Sequence, residues 1–253
     1  MILDDFVMLG KTVPEPNSDG RVFVCSAGYS AELGGLVRLY PLARKVAPPR
    51  WSICRVPLER NPKDHRPESY KIRGDRSAGA HDRINRHFEI TDLMPSPKRA
   101  ALLDKTAVSG LAEANSRRLS LAVLHPPAFG RIEMEPNEQS PESPQLALFD
   151  TDASEIPAGA KRFPFIPRLH FWDNDGSAHR LMIRDWGLFE LMRKNPGYRH
   201  DDLRAALHLT ASSSLLVGNL NAHRNAWLVI SVLNGLRTDN AEALFDVESA
   251  VST

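Results

Sequence analysis

Two pairs of side chains in this sequence have the chemistry needed for acid–base or metal-dependent reactions: His179 with Asp185, and His87 with Glu89. If residues 178–183 form a strand, His179 and Asp185 lie near its two ends, too far apart for direct proton transfer unless the chain folds back. We therefore expect Asp185 to cap a following helix and His179 to be structural or to contact phosphate. His87 and Glu89 could share a strand face, but no third ligand accompanies them, so no metal site is predicted.

Sequence patterns of the common catalytic and nucleotide-binding sites are absent. The chain contains neither GxxxxGK[ST] nor GxGxxG, and it lacks GxSxG and zinc-type CxxC patterns. Its two cysteines, Cys25 and Cys54, each lie in an apolar run and are expected to be small hydrophobic groups in a reducing compartment. We therefore predict no catalytic residues, no cofactor and no metal.

Basic residues are concentrated in the first part of the chain. The formal net charge is only +1, yet residues 1–100 hold 17 basic and 12 acidic side chains, whereas residues 101–253 hold 15 and 19. From Arg38 to Arg76, eleven basic residues accompany four acidic ones, a local net charge of +7. This density favours contacts with a phosphate backbone. The alternative is an ordinary solvated basic surface.

The elements that would position these basic residues have the pattern of short strands. Runs rich in Val, Ile, Leu and aromatic residues alternate with turn residues, which predicts a small barrel. Within residues 36–40, the two-residue period of a strand places Val37 and Leu39 on one face and Arg38 and Tyr40 on the other. A cation beside an aromatic ring on the open face of a small barrel is typical of surfaces that grip nucleic-acid strands.

The same period, applied to residues 70–73, places Tyr70 and Ile72 inward and the two basic residues outward. We therefore predict nucleic-acid binding, largely without base readout, by ten residues of the first barrel. They are Arg38, Tyr40, Arg44, Lys45, Arg50, Trp51, Lys63, Arg66, Lys71 and Arg73.

The remainder of the chain has the pattern of a second five-strand barrel interrupted by helices. A helical pattern covers residues 96–118, with Ser96 as the expected N-cap and Pro97 as the first helical residue. Strands are predicted at 119–124, 129–134, 163–171, 178–183, 215–219 and 227–233, and helices at 186–194 and 201–209.

Residues 135–160 are rich in Pro, Ser and acidic side chains, which is typical of a flexible, disordered-like insert. The insert contains one apolar island, Gln145-Leu146-Ala147-Leu148-Phe149, which resembles the QLxLF peptide that binds the bacterial DNA polymerase sliding clamp. In this interpretation Gln145 hydrogen-bonds the clamp rim, Leu146 bridges, and Leu148 and Phe149 fill an apolar pocket. The alternative is that these apolar residues form a strand or attach the insert to a barrel.

Several longer phrases point to one family. VCSAG at 24–28, LVRLYP at 36–41, RNPKDHRPESY at 60–70 and LVGN at 216–219 together resemble a bacterial family described as carrying a dual OB-like domain. The resemblance extends over most of residues 1–235 and includes no catalytic signature. It implies two OB-like barrels and a role connected with nucleic acid, in genome defence or mobile elements.

The predicted fold is therefore β-rich α+β, with two small OB-like barrels. We place the first barrel at 1–95, a connecting helix at 96–118, the second barrel with its insert at 119–235, and a C-terminal tail at 236–253. No run of about 18 apolar residues exists, and MILDDFVML at the N-terminus carries acids where a signal peptide carries Lys or Arg. This favours a cytoplasmic protein with no membrane partner.

The predicted function is non-catalytic binding of nucleic acid, with DNA favoured over RNA, by a protein that the sliding clamp recruits through residues 145–149. Two alternatives stay open. The first is a metal-dependent nuclease or base-acting enzyme that uses His179 and Asp185 or His87 and Glu89. The second is an assembly subunit of a larger protein complex, for example one acting in defence.

Overall fold

A computed structural model describes residues 1–16, 22–43, 48–74, 84–136, 165–194, 200–221 and 223–234. The first half is built almost entirely from short strands, as predicted, because its runs of branched and aromatic side chains pack well on a pleated surface. Its elements are β1 (Ile2–Lys11), β2 (Glu15–Pro16), β3 (Val22–Ser30), β4 (Gly35–Ala43), β5 (Ser52–Arg60), β6 (Ser69–Ile72), a 3-10 helix (Ile84–His87) and β7 (Glu89–Leu93).

Five of these strands close into a barrel. The order around it is β1-β3-β4-β6-β5, and β5 pairs back with β1. All neighbours are antiparallel except β4 and β6, which are parallel. Every second residue of β5 points inward, so Cys54, Val56 and Leu58 have no exposed surface. Tyr70 and Ile72 of β6 also point inward, which confirms their predicted orientation.

The second half contains another sheet together with the helices. Its elements are α1 (Ser96–Thr106), β8 (Ala107–Val108), α2 (Leu111–Ser116), β9 (Leu121–Leu124), β10 (Ala128–Pro136), β11 (Phe165–Trp172), β12 (Ala178–Ile183), α3 (Trp186–Lys194), α4 (His200–Ala206), β13 (Ser214–Asn219) and β14 (Trp227–Leu233). The strand order is β10-β11-β12-β14-β13-β9-β8, and β12 and β14 are parallel. The strands predicted at 178–183 and 227–233 and the helix predicted at 186–194 begin and end where expected.

β9 and β10 together occupy the place that β1 alone has in the first barrel. β1 pairs with β5 through its first half and with β3 through its second half. In the second sheet β9 pairs with β13, and β10 pairs with β11. The link between β9 and β10 contains Pro126 and Pro127, which have no amide donor, so one continuous strand cannot form there. Apart from this interruption, the two halves share one strand order.

The connection between the halves differs from the single helix predicted over residues 96–118. The chain forms α1 and α2 with β8 between them, and β8 pairs with β9. The prediction is wrong because Val108 is buried in this pairing and because α2 is capped from a distant part of the sequence. The Leu111 amide donates to the Asp173 carboxylate at 2.8 Å. Ser96 is likewise not the N-cap of α1, since Pro95 occupies that position.

Three clusters of buried side chains stabilise the fold. One fills the first barrel, and another lies between the second sheet and the helices α2, α3 and α4. The third lies between the two halves and includes Leu9 of β1, Tyr29 of β3, Leu216 of β13 and Ile230 of β14. Because burial of apolar surface contributes about 25 cal/mol for each Å² removed from water, this third cluster holds the halves together.

Two predicted segments lie largely or wholly outside the described residues. They are the insert, of which only residues 135 and 136 are described, and the tail at 236–253. β10 extends through Pro136, so the boundary predicted for the insert at residue 135 is two residues too early. No helix in the described ranges has both the length and the apolar character needed to cross a membrane.

Candidate nucleic-acid interface

Two of the ten predicted nucleic-acid-binding residues are buried between the halves. Arg38 is 4% exposed, and its Nη2 donates to the Ser120 carbonyl at 2.8 Å. Trp51 has no exposed surface and belongs to the cluster between the halves. Val37 and Leu39 point into the barrel as predicted, but residues of the second half cover Arg38 on the opposite face of β4. The expectation that Arg38 and Trp51 face solvent is therefore wrong.

Two further arginines of the predicted set, Arg50 and Arg66, connect the halves. The Arg50 guanidinium donates to the Val232 carbonyl at 2.9 Å and lies 3.3 Å from the Asp185 carboxylate. Arg66 donates to the Asn219 carbonyl at 2.8 Å. Since these groups already have protein partners on the other half, both arginines act in the contact between the halves.

Arg66 also neutralises Asp64, an acidic residue in the loop 61–68 between β5 and β6. Arg66 Nε donates to Asp64 at 2.8 Å, and Ser69 Oγ donates to the same carboxylate at 2.8 Å. Burial raises the pKa of Asp64, but the hydrogen bonds from Arg66 and Ser69 outweigh burial and hold this pKa below its usual range. Asp64 therefore presents no free negative charge to an approaching anion.

The remaining predicted residues differ in their exposure. Lys63 and Arg73 are exposed, and Tyr40 is 38% exposed. Lys71 is half-buried and forms an ion pair with Glu59 at 2.8 Å. Two others, Arg44 and Lys45, lie outside the described residues. The structure brings Tyr40 close to the loop that carries Lys63, because the side chain of Asn61 donates to the Tyr40 carbonyl at 3.0 Å.

Lys63 belongs to a basic surface that the sequence reasoning did not assemble. The loop 61–68 and the loop that follows β13 meet at Asn219, whose carbonyl accepts from Arg66 and whose side chain donates to the Arg224 carbonyl at 2.9 Å. The same side chain lies 3.4 Å from the Leu119 carbonyl, just after α2. The segments that meet there carry five exposed basic or imidazole side chains. We call them the loop surface: Lys63, His65, Arg118, His223 and Arg224.

Among the described residues, no carboxylate forms an ion pair with a side chain of the loop surface. Sequence reasoning missed Arg118, His223 and Arg224 because they belong to the half of the chain whose summed charge is negative. The signal that could have found them is their position: the last two lie in the loop that corresponds to 61–68 in the shared strand order.

His179 and Asp185 do not act on each other. His179 Nε2 lies 2.6 Å from the buried Asp173 carboxylate, which also receives the Leu111 amide. Asp185 accepts the Leu188 amide at 3.1 Å, which confirms that it caps α3, and it accepts Ser231 Oγ at 2.6 Å. The sequence analysis did not place Asp173 against His179, so the partner of His179 was missed.

The second candidate pair is exposed and dispersed. His87 ends the 3-10 helix, and Glu89 lies 4.0 Å from Arg55 on β5. Within the described ranges, no three His, Cys, Asp or Glu side chains are placed to hold a metal ion.

Cys54 is buried as predicted, and burial raises the pKa of its thiol to about 12, whereas Cys25 is half-buried. The predicted clamp-binding residues Gln145, Leu146, Leu148 and Phe149 lie outside the described residues.

Comparison with known families gives one match. Residues 4–100 match a domain of unknown function, DUF8758. This match spans the first barrel and β7 and ends within α1. A search of curated proteins finds no match to the chain.

Proposed function

We propose that the protein binds nucleic acid through backbone contacts made by the loop surface. The observation that carries this proposal is the convergence of the loop 61–68 and the loop after β13 at Asn219, in segments that carry the exposed Lys63, Arg118 and Arg224. Exposed cations that form no ion pair with a carboxylate release counterions from a phosphate backbone when they bind it, which favours association.

The shared strand order supports the proposal. We interpret both halves as OB-type barrels, each a five-stranded Greek-key barrel, with the first strand of the second barrel split into β9 and β10. OB folds bind oligonucleotides with the face of strands 2 and 3 and with the loops between strands 1 and 2 and strands 4 and 5. The loop surface is formed largely by the two loops between strands 4 and 5. Fold likeness alone does not assign a function, so the charge of these loops carries the argument.

The test is a titration of labelled single-stranded and duplex DNA of about 20 nucleotides, longer than the 4–16 nucleotides that one OB fold covers. Fluorescence anisotropy at several salt concentrations gives both the affinity and its salt dependence. We expect the double variant Lys63→Glu/Arg224→Glu to bind at least about tenfold more weakly. We also expect the slope of log K against log salt to become smaller by about 0.7 for each lost phosphate contact on a single strand.

The matched control is Lys98→Glu, which reverses an exposed cation on α1, outside the loop surface. This variant should retain the wild-type salt dependence. An absence of binding by the wild-type protein at low salt, or an unchanged salt slope in the double variant, would overturn the proposal.

A second candidate function, recruitment by the sliding clamp, is favoured by the peptide Gln145-Leu146-Ala147-Leu148-Phe149. A synthetic peptide covering residues 140–153 should bind purified clamp, and the peptide carrying Leu148→Ala and Phe149→Ala should not. The chain supplies a matched control near its C-terminus, where residues 243–246 repeat the sequence ALFD without the preceding Gln and Leu. Equal binding by all three peptides would contradict the clamp proposal.

A further inference from the structure

We infer that Trp172 is a stacking platform for an unpaired nucleobase, on the outer face of the second sheet. The inference rests on the proposed function and specifies the part of the nucleic acid that Trp172 contacts, which is an unpaired base. Trp172 ends β11 and is 41% exposed. Leu169 and Phe171, on the same strand, have no exposed surface, so the alternation of the strand directs Trp172 away from the core.

Gly130 of β10 allows the indole ring to lie close to the sheet. A Cβ atom at Gly130 would be 3.3 Å from a carbon of the six-membered ring of Trp172 and 2.9 Å from the Cβ atom of His170. The distal part of the ring therefore lies against Gly130, while 41% of the residue remains exposed to solvent. Such a supported aromatic ring loses little conformational freedom when a base stacks on it.

Two arginines, Arg131 and Arg204, lie next to the glycine that the ring approaches. Arg204 of α4 donates to the Gly130 carbonyl at 3.0 Å, so its guanidinium and the indole contact the same glycine. Arg131 directly follows Gly130, and 77% of its side chain is exposed although it pairs with Glu133. A nucleotide stacked on Trp172 can thus meet a cation on either side of Gly130.

The carboxylates of this face are already neutralised. Glu133 accepts Arg180 Nε at 2.7 Å and lies 3.1 Å from His170 Nε2, and Glu135 pairs with Arg168 and Arg180. Four arginines, counting Arg131 and Arg204, therefore stand against two glutamates, a net charge of +2. This face does not repel a nucleic-acid strand. Most of its arginines are already paired with glutamates, so we expect stacking on Trp172 to be its main contribution to binding.

A groove runs along β10 and includes Gly130, the residue that the Trp172 ring approaches. It has a volume of about 940 Å³ and is lined by residues 129–136 and by Arg204. Apolar Phe129, Ile132 and Met134 alternate there with charged side chains. An extended single strand fits such a groove with its bases free to stack, whereas the bases of a duplex already stack on each other. We therefore assign this face to single-stranded nucleic acid.

The experiment compares two single strands with equal charge: an oligothymidylate and an otherwise identical strand of abasic residues. Both are titrated against wild-type protein and against the variants Trp172→Ala, Trp172→Phe and Phe165→Ala. Phe165 is the matched control, because it is on the same strand and is 42% exposed. We expect Trp172→Ala to weaken oligothymidylate binding about fivefold or more, Trp172→Phe to restore most of it, and Phe165→Ala to leave it unchanged.

The remaining outcomes separate the inference from the proposal on which it rests. With the abasic strand, Trp172→Ala should bind like wild type, and its salt slope should be unchanged with both strands. An equal loss of affinity on both strands would mean that Trp172 does not contact bases. No loss of affinity for oligothymidylate would also overturn the inference. Neither result would contradict backbone binding by the loop surface. Failure of wild type to bind both strands would overturn the proposed function and this inference together.

Discussion

The outer face of β3 and β4 and the outer face of β11 and β12 occupy corresponding places in the two halves, yet one is covered and the other is open. The first face contacts the second half through Arg38 and Tyr29. The second face carries Trp172, with 41% exposure, and a network of ion pairs. The same strand order therefore serves to join the halves in one case and leaves a surface for a ligand in the other.

The difference shows why a strand pattern alone does not identify a binding face. Arg38 and Arg180 both lie on strand 3 of their halves and both point away from the core. Arg38 is 4% exposed because another part of the chain packs on it, whereas the Arg180 side chain is 38% exposed. A cation can bind a ligand only if it lies on the outer face of its strand and if no other part of the chain covers it. The strand pattern predicts the first condition, and the second depends on long-range packing.

The largest test of this comparison uses the two tryptophans. Trp51→Ala removes a fully buried indole from the cluster between the halves, so we expect the free energy of unfolding to fall by about 3–5 kcal/mol. Trp172→Ala removes a half-exposed ring and should change it by less than about 1 kcal/mol. Urea denaturation followed by circular dichroism measures both values, and similar losses in the two variants would contradict the assignment of one covered and one open face.

The next test removes the polar contact between Asp185 and Arg50, which joins the halves. Asp185 is buried, caps α3 and accepts hydrogen bonds from Ser231 and Arg50. We expect Asp185→Ala to lower the free energy of unfolding by about 2–4 kcal/mol, because it removes a cap and leaves donors without an acceptor. The exposed Asp92→Ala is the control and should have almost no effect in the same urea experiment. A small loss for both variants would show that the Asp185 contacts contribute little to the association of the halves.

Much of the fold could be predicted because local patterns specify it. The alternation in residues 36–40, the turn residues around the strands and the cap at Asp185 depend on near neighbours in the sequence. The break between α1 and α2 could not be predicted, since it depends on Asp173, which is 62 residues from Leu111. Local propensity favours one helix there, and tertiary packing overrides it.

The candidate site was less predictable than the fold. Lys63 and Tyr40 were found from composition and alternation, and they remain exposed. The segments of Arg118 and Arg224 meet the loop of Lys63 only because Asn219 bonds to Arg66 and to the Leu119 and Arg224 carbonyls. Summed charge by segment cannot detect a surface assembled from three separate parts of the chain.

A third test compares the buried carboxylate of Asp64, in the loop 61–68, with a carboxylate on the open face. The pKa of Asp64 is held below its usual value of 3.8, so its ionised form stabilises the folded state above this pH, and the stabilisation is lost as the pH falls below it. We expect Asp64→Asn to be less stable than wild type by about 1–2 kcal/mol at neutral pH, and the difference to shrink below about pH 4. Thermal denaturation from neutral to acidic pH measures this.

Glu133 provides the counterpart on the open face. The Arg180 hydrogen bond, followed by that of His170, lowers the pKa of Glu133 to about 2, but its pairs are exposed to solvent. Exposed ion pairs contribute little because water and salt screen them. Glu133→Gln should therefore leave stability unchanged, and added salt should not alter that result. A pH-dependent loss as large as that of Asp64→Asn would show that the open face is instead a rigid part of the fold.

The last test uses Gly130→Ala, which alters the open face without removing any of its functional groups. The added methyl group would meet the Cβ atom of His170 at 2.9 Å, so this residue must shift, and the Trp172 ring at 3.3 Å must give by a few tenths of an ångström. Stability should change by less than about 1 kcal/mol, because the gain in strand propensity offsets the crowding. Affinity for oligothymidylate should fall about threefold, since the displaced ring must reorder before a base can stack on it. Parallel titrations of Gly130→Ala and wild type measure this loss, and a variant that binds as tightly as wild type would show that the position of the ring against Gly130 does not matter for stacking.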